Sequence, residues 1–454
     1  MNTHIEQSIV DGLALQRAAY HKNPVPNYAD RIRDLTRLGD FLRENKDAIC
    51  EAVNLDFGNR SVHETILSEI LPTLNEINHV KKHLKTWMKP QRRGVDLKTF
   101  IGAKNRVIPQ PLGVVGVIVP WNFPVFLSLG PLVSIFAAGN RAMVKMSENS
   151  RHLTQLMQDR MPAYFHNDKL QFIEGAEGAG QAFSKQPFDY LLFTGSGQTG
   201  SAVMAAAAAN LCPVTLELGG KSPALVLEDY DINVAAERIL YAKCLNAGQI
   251  CVTADHVYLP HDKVDAFIHI AQSVVQKRYV SKDSTDYTSI IDDKSYTRLV
   301  NALEQARAQG ATLIPLLAGE PFDASTRKIA PHLVLNAPAD CELMTREIFG
   351  PILPIIAFSD VAHVVRDINA RPRPLAFYPF THDADKLDYL LTHVMSGGVS
   401  VNDVLLHVAQ TDMPFGGVGA SGMGHYHGVE GFNTFSKLRP VFYQARWSAA
   451  SLLA

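Results

Sequence analysis

Short apolar runs alternate four times with helical segments between residues 113 and 210. The first pair is the apolar run Gly113–Val119 and the helical segment Phe126–Gly139. Regular strand–helix alternation predicts a parallel, doubly wound α/β sheet, because crossover helices cover both faces of such a sheet. The alternation returns less clearly beyond residue 222, with candidate strands at Pro223–Glu228, His256–Pro260 and Ala311–Leu317. We therefore predict a second α/β domain.

The longest uncharged stretch, Val107–Asn140, has the length of a membrane span. A spanning helix needs about 20 predominantly apolar residues, but five prolines interrupt this stretch. We interpret it as a buried strand, a loop and a buried helix, because parallel strands that are covered on both faces have continuous apolar sequences and the prolines interrupt any single helix. No membrane partner is expected.

Charge and cysteine content exclude several classes of protein. The formal net charge is −2 and no basic block stands out, so we expect no nucleic-acid partner. The five cysteines form no C-x-x-C pair, which argues against a disulfide framework and a cysteine zinc site, and no metal site is predicted. The N-terminal residues lack the apolar core of a secretory signal. Together these features favour a cytoplasmic protein.

A G-x-G-x-x-G pattern at Gly195, Gly197 and Gly200 follows a predicted strand and opens a predicted helix. In this context backbone N–H groups and a helix N-terminus can face a pyrophosphate, although a plain tight turn fits the same residues. Glu217 lies seventeen residues after Gly200, near the place of a ribose-binding acid. It also lies in a strand-like apolar run, where a buried carboxylate would have a raised pKa and suit a general base. A hydrogen-bonded core glutamate is the third alternative.

Two further residues have chemistry that suits a reactive site. Cys251 lies among small and polar residues, a setting that can leave a thiol accessible and its thiolate stabilised. A free cysteine is more often a small buried hydrophobe, and we expect that of Cys50, Cys212, Cys244 and Cys341. Asn122 follows the first predicted strand, where its amide could donate to an oxyanion or, alternatively, cap the next helix.

Seven segments in order resemble the aldehyde dehydrogenase superfamily over about residues 10–440. They are PWNFP at Pro120–Pro124, KMSE at Lys145–Glu148, FTGSGQTG at Phe193–Gly200, LELGGKSP at Leu216–Pro223, GQIC at Gly248–Cys251, EIFGP at Glu347–Pro351 and PFGGVGASGMG at Pro414–Gly424.

The resemblance implies catalytic roles. Cys251 would be the nucleophile that forms a thiohemiacetal and then a thioester with an aldehyde. Asn122 and the backbone N–H of Cys251 would form the oxyanion hole. Glu217 would activate water rather than bind a ribose.

The resemblance also implies a cofactor, NAD or alternatively NADP. Lys145 and Glu148 would contact the adenosine ribose, and an acidic Glu148 would favour NAD by repelling a 2′-phosphate. Glu347 would hold the nicotinamide ribose and Phe349 would pack near the nicotinamide. The residues implied at the pyrophosphate are Trp121, Gly195, Ser196 and Gly200.

The implied architecture is aldehyde dehydrogenase-like: a Rossmann-type cofactor domain, a second α/β catalytic domain and a small β oligomerisation arm. We assign residues 1–92 and 112–218 to the cofactor-binding domain, residues 219–432 to the catalytic domain, and residues 93–111 and 433–446 to the arm. Pairing through the arm favours a homodimer.

The segments Val401–Gln410 and Phe415–Gly428 resemble the class 3-like branch of the superfamily, and the run from His407 to Phe442 resembles, within that branch, the bacterial coniferyl aldehyde dehydrogenases. This implies an aromatic, coniferyl aldehyde-like substrate, with medium-chain aliphatic aldehydes as the alternative. A cofactor-independent thiol esterase could also use Cys251, Asn122 and Glu217. Ester hydrolysis would not need the implied cofactor residues, which separates the two functions.

Overall fold

The structure is a computed structural model that describes residues 3–96 and 98–446. Met1, Asn2 and Leu97, which the domain assignment includes, lie outside the described residues. The helices are α1 Thr3–Lys22, α2 Tyr28–Glu44, α3 Lys46–Phe57, α4 Val62–Thr65, α5 Leu71–Trp87, α6 Phe126–Ala138, α7 Arg151–Arg160, α8 Ala179–Ser184, α9 Gly197–Ala208, α10 Ile232–Cys244, α11 Val264–Arg278, α12 Asp293–Ala308, α13 Glu342–Thr345, α14 Val361–Ala370, α15 Ala384–His393 and α16 Gly428–Thr434, with a π-helical turn, Ile66–Ile70, between α4 and α5.

The strands form three larger sheets and one short hairpin. They are β1 Gln91–Arg93, β2 Lys104–Pro111, β3 Val114–Ile118, β4 Arg141–Lys145, β5 Leu170–Ile173, β6 Tyr190–Thr194, β7 Val214–Glu217, β8 Pro223–Val226, β9 His256–Pro260, β10 Thr312–Pro315, β11 Phe322–Asp323, β12 Lys328–Ile329, β13 His332–Leu335, β14 Ile352–Phe358, β15 Ala376–Phe380, β16 Gly398–Val399, β17 Gly422–Met423 and β18 Ser436–Tyr443.

The first sheet has the order β17-β7-β6-β3-β4-β5 and is parallel except for β17. The predicted doubly wound sheet is therefore confirmed. All of β3 is buried, and so is α6 from Leu127 to Ala138. From Val114 onward the uncharged stretch is thus strand, loop and buried helix, as predicted, whereas residues 107–111 belong to a second strand, β2, which is partly exposed. Within residues 3–96 and 98–446, no helix is both long and apolar enough to cross a membrane.

The second sheet has the order β10-β13-β14-β9-β8-β15-β16 and is parallel except for β10. The second α/β unit is confirmed, but its strands β14 and β15 were not predicted. Each contains a proline, Pro354 or Pro379, and an internal proline argues against a central strand. Because β14 pairs with β9 only from Ile355 onward, Pro354 leaves no gap in that ladder.

The third sheet is antiparallel, in the order β1-β2-β18. β1 and β2 form a hairpin, and β18 pairs with β2 from Ser436 opposite Pro111 to Tyr443 opposite Lys104. The domain boundaries remain predictions. β17 pairs with β7 of the first sheet and α16 packs on α6, so residues 422–434, most of which are assigned to the catalytic domain, lie against the first sheet and its helix α6.

Candidate active site

The reactive-thiol candidate, Cys251, lies in the loop between α10 and β9. It is half-buried, whereas Cys50, Cys212, Cys244 and Cys341 are buried as predicted. Among the described residues, Cys251 alone lines both an apolar cavity of about 540 Å³ and a polar cavity of about 740 Å³. The thiol therefore lies where the two cavities meet.

The loop before Cys251 is strained and tightly held. Asn246, Ala247 and Gly248 have φ values of 50°, 48° and 71°, a left-handed region that L-residues rarely adopt and that is retained where surrounding contacts enforce it. Glu64 accepts the backbone N–H of Asn246 at 3.2 Å. Gln249 accepts from the Ile291 N–H at 3.0 Å. These buried contacts fix the position of the sulfur, and nothing in the local sequence predicted them.

Asn122 is buried in the loop after β3 and turns towards the Cys251 loop. Its Nδ2 donates to the carbonyl of Gln249 at 3.2 Å, and its own carbonyl accepts from Asn246 Nδ2 at 3.1 Å. The helix that follows is held by Glu69, which accepts the N–H groups of Val125 and Phe126 at 2.7 and 3.1 Å. Asn122 is therefore not a helix cap, and its amide borders the same polar cavity as Cys251.

Glu217 is the last residue of β7 and is buried. Neither carboxylate oxygen has a hydrogen-bond partner in the part of the chain that the structure describes, so it is not a hydrogen-bonded core glutamate. Burial raises the pKa of Glu217 well above its ordinary value. It lines the polar cavity together with Cys251, while Lys145 and Glu148 line a neighbouring cleft. Glu217 does not line that cleft.

The sequence-based expectation of a stabilised thiolate at Cys251 is wrong for the protein alone. Burial raises the pKa of the Cys251 thiol to about 12, and the carboxylates of Glu347 and Glu217 act in the same direction. The backbone N–H groups of Cys251 and Val252 oppose this shift. A sequence shows small neighbours but not the carboxylates that the fold brings to a thiol.

Glu347 and Phe349 lie on a loop that borders the polar cavity. Burial raises the pKa of Glu347 to about 8, and the charge of Asp255 adds to this. A Cβ at Gly219 would lie 2.1 Å from Glu347 Oε2, so only glycine fits beneath this carboxylate. The Phe349 ring lies 5.4 Å from the Trp121 ring in an edge-to-face arrangement.

Two charged residues that sequence reasoning missed hold this loop. Lys221 pairs with buried Asp255 and donates to the carbonyls of Leu343 and Arg346 at 2.7 and 3.0 Å. Asp255 accepts the N–H of Ile348 at 2.8 Å. Lys221 stands in the same motif as Glu217, and Asp255 lies four residues after Cys251, so closeness to a candidate catalytic residue was the available signal.

The cleft beyond the polar cavity has a volume of about 1030 Å³. Lys145 and Glu148 line it and form an ion pair of 2.6 Å. The residues Trp121, Gly195 and Ser196 line both this cleft and the polar cavity, so the two spaces are contiguous.

The glycine loop opens α9, with Ser196 as its N-cap. Gly195 and Ser196 border the cleft, but Gly200 is on neither cavity wall. A Cβ at Gly200 would lie 2.7 Å from Leu218 Cδ2, so this glycine permits close packing of the helix. A Cβ at Gly197 would meet nothing within 4 Å.

The cavity on the other side of the thiol is lined mainly by aliphatic and aromatic side chains. Phe123, Phe126 and Phe415 contribute aromatic walls, and charged Arg238 and Asp403 form an ion pair of 3.6 Å in the lining. The half-buried thiol of Cys251 thus lies between the apolar cavity and the polar cavity. The amide of Asn122 and the buried carboxylate of Glu217 line the polar cavity. Two mainly parallel α/β sheets with a thiol at the junction of two cavities are typical of an α/β enzyme with a reactive cysteine.

The comparisons with known proteins agree with this class. The family model described as "Aldehyde dehydrogenase family" matches residues 14–441, so the chain belongs to the aldehyde dehydrogenase family. It is 48% identical over 441 residues to the probable coniferyl aldehyde dehydrogenase of Pseudomonas aeruginosa, covering 97% of this chain and 92% of the relative.

Two solved structures extend the likeness to three dimensions. AldH of Staphylococcus aureus, in a substrate-bound state, has a TM-score of 0.92 at 33% identity, with 97% of this chain and 95% of that one covered. The aldehyde dehydrogenase of Mycobacterium tuberculosis, complexed with NAD⁺, has a TM-score of 0.85 at 25% identity, with 97% and 90% covered. The predicted family and fold are confirmed.

Proposed function

We propose that this protein oxidises an aromatic aldehyde of the coniferyl type to its carboxylic acid, with NAD as the hydride acceptor and Cys251 as the nucleophile. The observation that carries the proposal is the position of Cys251 on the walls of both cavities. An aldehyde in the apolar cavity and a nicotinamide in the polar one would both reach the same sulfur.

The polar side fits a dinucleotide. Contiguous spaces of about 740 and 1030 Å³ run from Cys251 to Lys145 and Glu148, past the N-terminus of α9. Helix N-termini favour phosphate groups, because their N–H groups and the helix dipole face the anion. When bound, the oxidised nicotinamide supplies the acceptor for the aldehyde's hydride. Glu148 would favour NAD over NADP by repelling a 2′-phosphate.

Cys251 first loses its thiol proton to water in the polar cavity, and attack by the resulting thiolate makes the aldehyde carbon tetrahedral and places negative charge on its oxygen. Asn122 Nδ2 and the backbone N–H of Cys251 would donate to that oxyanion. Losing one such donor typically costs on the order of 10²–10³ in rate. The side-chain amide of Asn122 is held by the Gln249 carbonyl and its backbone carbonyl by Asn246 Nδ2, so little reorganisation is needed when charge develops.

Departure of hydride leaves a thioester on Cys251, which water must cleave. Glu217 would take a proton from that water, the resulting hydroxide would attack the carbonyl carbon, and the C–S bond would break to release the acid. A carboxylate with a raised pKa is a stronger base than an exposed one, and burial provides that shift at Glu217.

The substrate class rests on the apolar cavity and on the relatives. A volume of about 540 Å³ bordered by Phe123, Phe126 and Phe415 suits an aromatic ring, which gains from offset and edge contacts with other rings. The coniferyl aldehyde dehydrogenase relative supports the same choice. We further propose a cytoplasmic homodimer that associates through β2 and β18.

The test is absorbance at 340 nm with both cofactors and a panel of aldehydes. We expect reduction of NAD with coniferyl-type aldehydes, at higher kcat/KM than with medium-chain aliphatic aldehydes. Ester cleavage without any nicotinamide reduction would favour the thiol esterase. Absence of reduction with every aldehyde and both cofactors would reject the proposal.

A further inference from the structure

A group of buried polar atoms behind Glu217 lacks protein partners. Glu76 Oε1, Ser134 Oγ, Tyr426 Oη and His427 Nε2 make no hydrogen bond to any residue that the structure describes, and the same holds for both oxygens of Glu217. About nine in ten buried polar groups in folded proteins have a partner, either protein or ordered water. Several unpaired groups together therefore call for a functional explanation.

The packing of three helices brings these groups to one region. Tyr426 and His427 immediately precede α16, which packs against both α5 and α6. A Cβ at Gly431 of α16 would lie 2.3 Å from Ser134 Oγ on α6. A Cβ at Gly130 of α6 would lie 3.6 Å from Glu76 Oε2 on α5. Ser134 therefore lies at the contact of α6 with α16, and Glu76 lies at the contact of α5 with α6.

The same region reaches the candidate base through β17. Gly422 of β17 pairs with Glu217, and Tyr426 exchanges two backbone hydrogen bonds with Phe415, at 2.8 and 2.9 Å. Burial raises the pKa of the Tyr426 hydroxyl, and the charges of Glu217 and Glu76 both add to that shift. The phenol thus lies within the electrostatic reach of both carboxylates.

We propose that Tyr426 and Glu76 form the path by which the proton taken up by Glu217 leaves the active site. The inference rests on the proposed function, in which Glu217 receives one proton from water in each turnover. Protonated Glu217 must lose that proton before the next thioester can be cleaved. It would pass the proton, through ordered water, to Tyr426, whose hydroxyl accepts it and donates its own proton to the Glu76 carboxylate.

Glu76 is suited to deliver the proton to solvent. Burial raises the pKa of Glu76 to about 8, so this carboxyl can exchange protons near neutral pH. It lies on α5, which also carries the exposed residues Asn75, Asn78 and Lys82, so the same helix reaches the surface of the protein.

The experiment compares Glu76→Gln, Tyr426→Phe and wild type in stopped-flow NADH formation. We expect both variants to form the first equivalent of NADH at the wild-type rate and then to turn over at least tenfold more slowly, because only thioester cleavage needs the proton exit. Hydroxylamine, a neutral amine that attacks thioesters directly, should restore the turnover of both variants.

Tyr279→Phe serves as the matched control, because it also removes a hydroxyl from a buried tyrosine. It should keep wild-type turnover. Wild-type steady-state rates in Glu76→Gln and Tyr426→Phe would overturn the inference. So would slowing of the first NADH equivalent in parallel with kcat, which would indicate a merely structural role. A wild-type enzyme that forms no NADH would instead reject the proposed function.

Discussion

The two cavities that meet at Cys251 are built in different ways. The polar cavity and the cleft that continues it are lined by short contiguous motifs, such as Gly195–Ser196 and Lys145–Glu148, whose glycines and charges lie at fixed spacings. The apolar cavity is made by single side chains from distant parts of the chain, among them Leu67, Tyr241 and Phe415. The comparison teaches that the walls of the polar side can be recognised as motifs in the sequence, whereas the walls of the apolar cavity come together only in the fold.

The largest effect is expected when the sulfur atom of Cys251, where the two cavities meet, is removed. Cys251→Ala should abolish aldehyde oxidation, because no thiohemiacetal can form. Cys244→Ala should keep most of the activity, since its thiol is buried and lines neither cavity. Steady-state NADH formation measures both variants. An equal loss of activity in the two variants would show that Cys251 is not the nucleophile.

A substitution in the apolar cavity should separate substrate binding from cofactor binding. Val408 lines that cavity and not the polar one, so Val408→Phe should fill part of it. We expect KM to rise about tenfold for a coniferyl-type aldehyde, with acetaldehyde much less affected; filling a pocket typically costs 1–3 kcal/mol. The KM for NAD should be unchanged. A parallel rise in both KM values would mean that the two cavities are not independent.

The smallest effect concerns the thiol itself. Glu347→Gln removes a carboxylate that raises the pKa of Cys251, so this pKa should fall and alkylation by iodoacetamide at a given pH should be a few-fold faster. The difference should grow above pH 8, where Glu347 in the wild type is ionised. The second-order alkylation rate from pH 7 to 10 measures it. A rate that falls in the variant would contradict the assigned direction.

The difference between contiguous motifs and scattered side chains also explains which parts of the structure could be predicted from the sequence. The first sheet was predicted because its strands are continuous apolar runs, and the residues of the polar side could be found in motifs. β14 and β15 were missed because Pro354 and Pro379 break their patterns.

The raised pKa of Cys251 was missed for a different reason. The carboxylates that cause part of it are 34 and 96 residues away in the chain and become neighbours only in the fold. The cluster of buried polar atoms that includes Tyr426 and Glu76 could not be predicted for the same reason, since α5 and the segment before α16 meet only through tertiary packing.

The most direct measurement is the intact mass of the Glu217→Gln protein after mixing with coniferyl aldehyde and NAD. Without its base the enzyme should accumulate the thioester, seen as a gain equal to the acid minus one water, and peptide mapping should place it on Cys251. An adduct on another cysteine, or NADH formation at the wild-type rate with no adduct at all, would contradict the account.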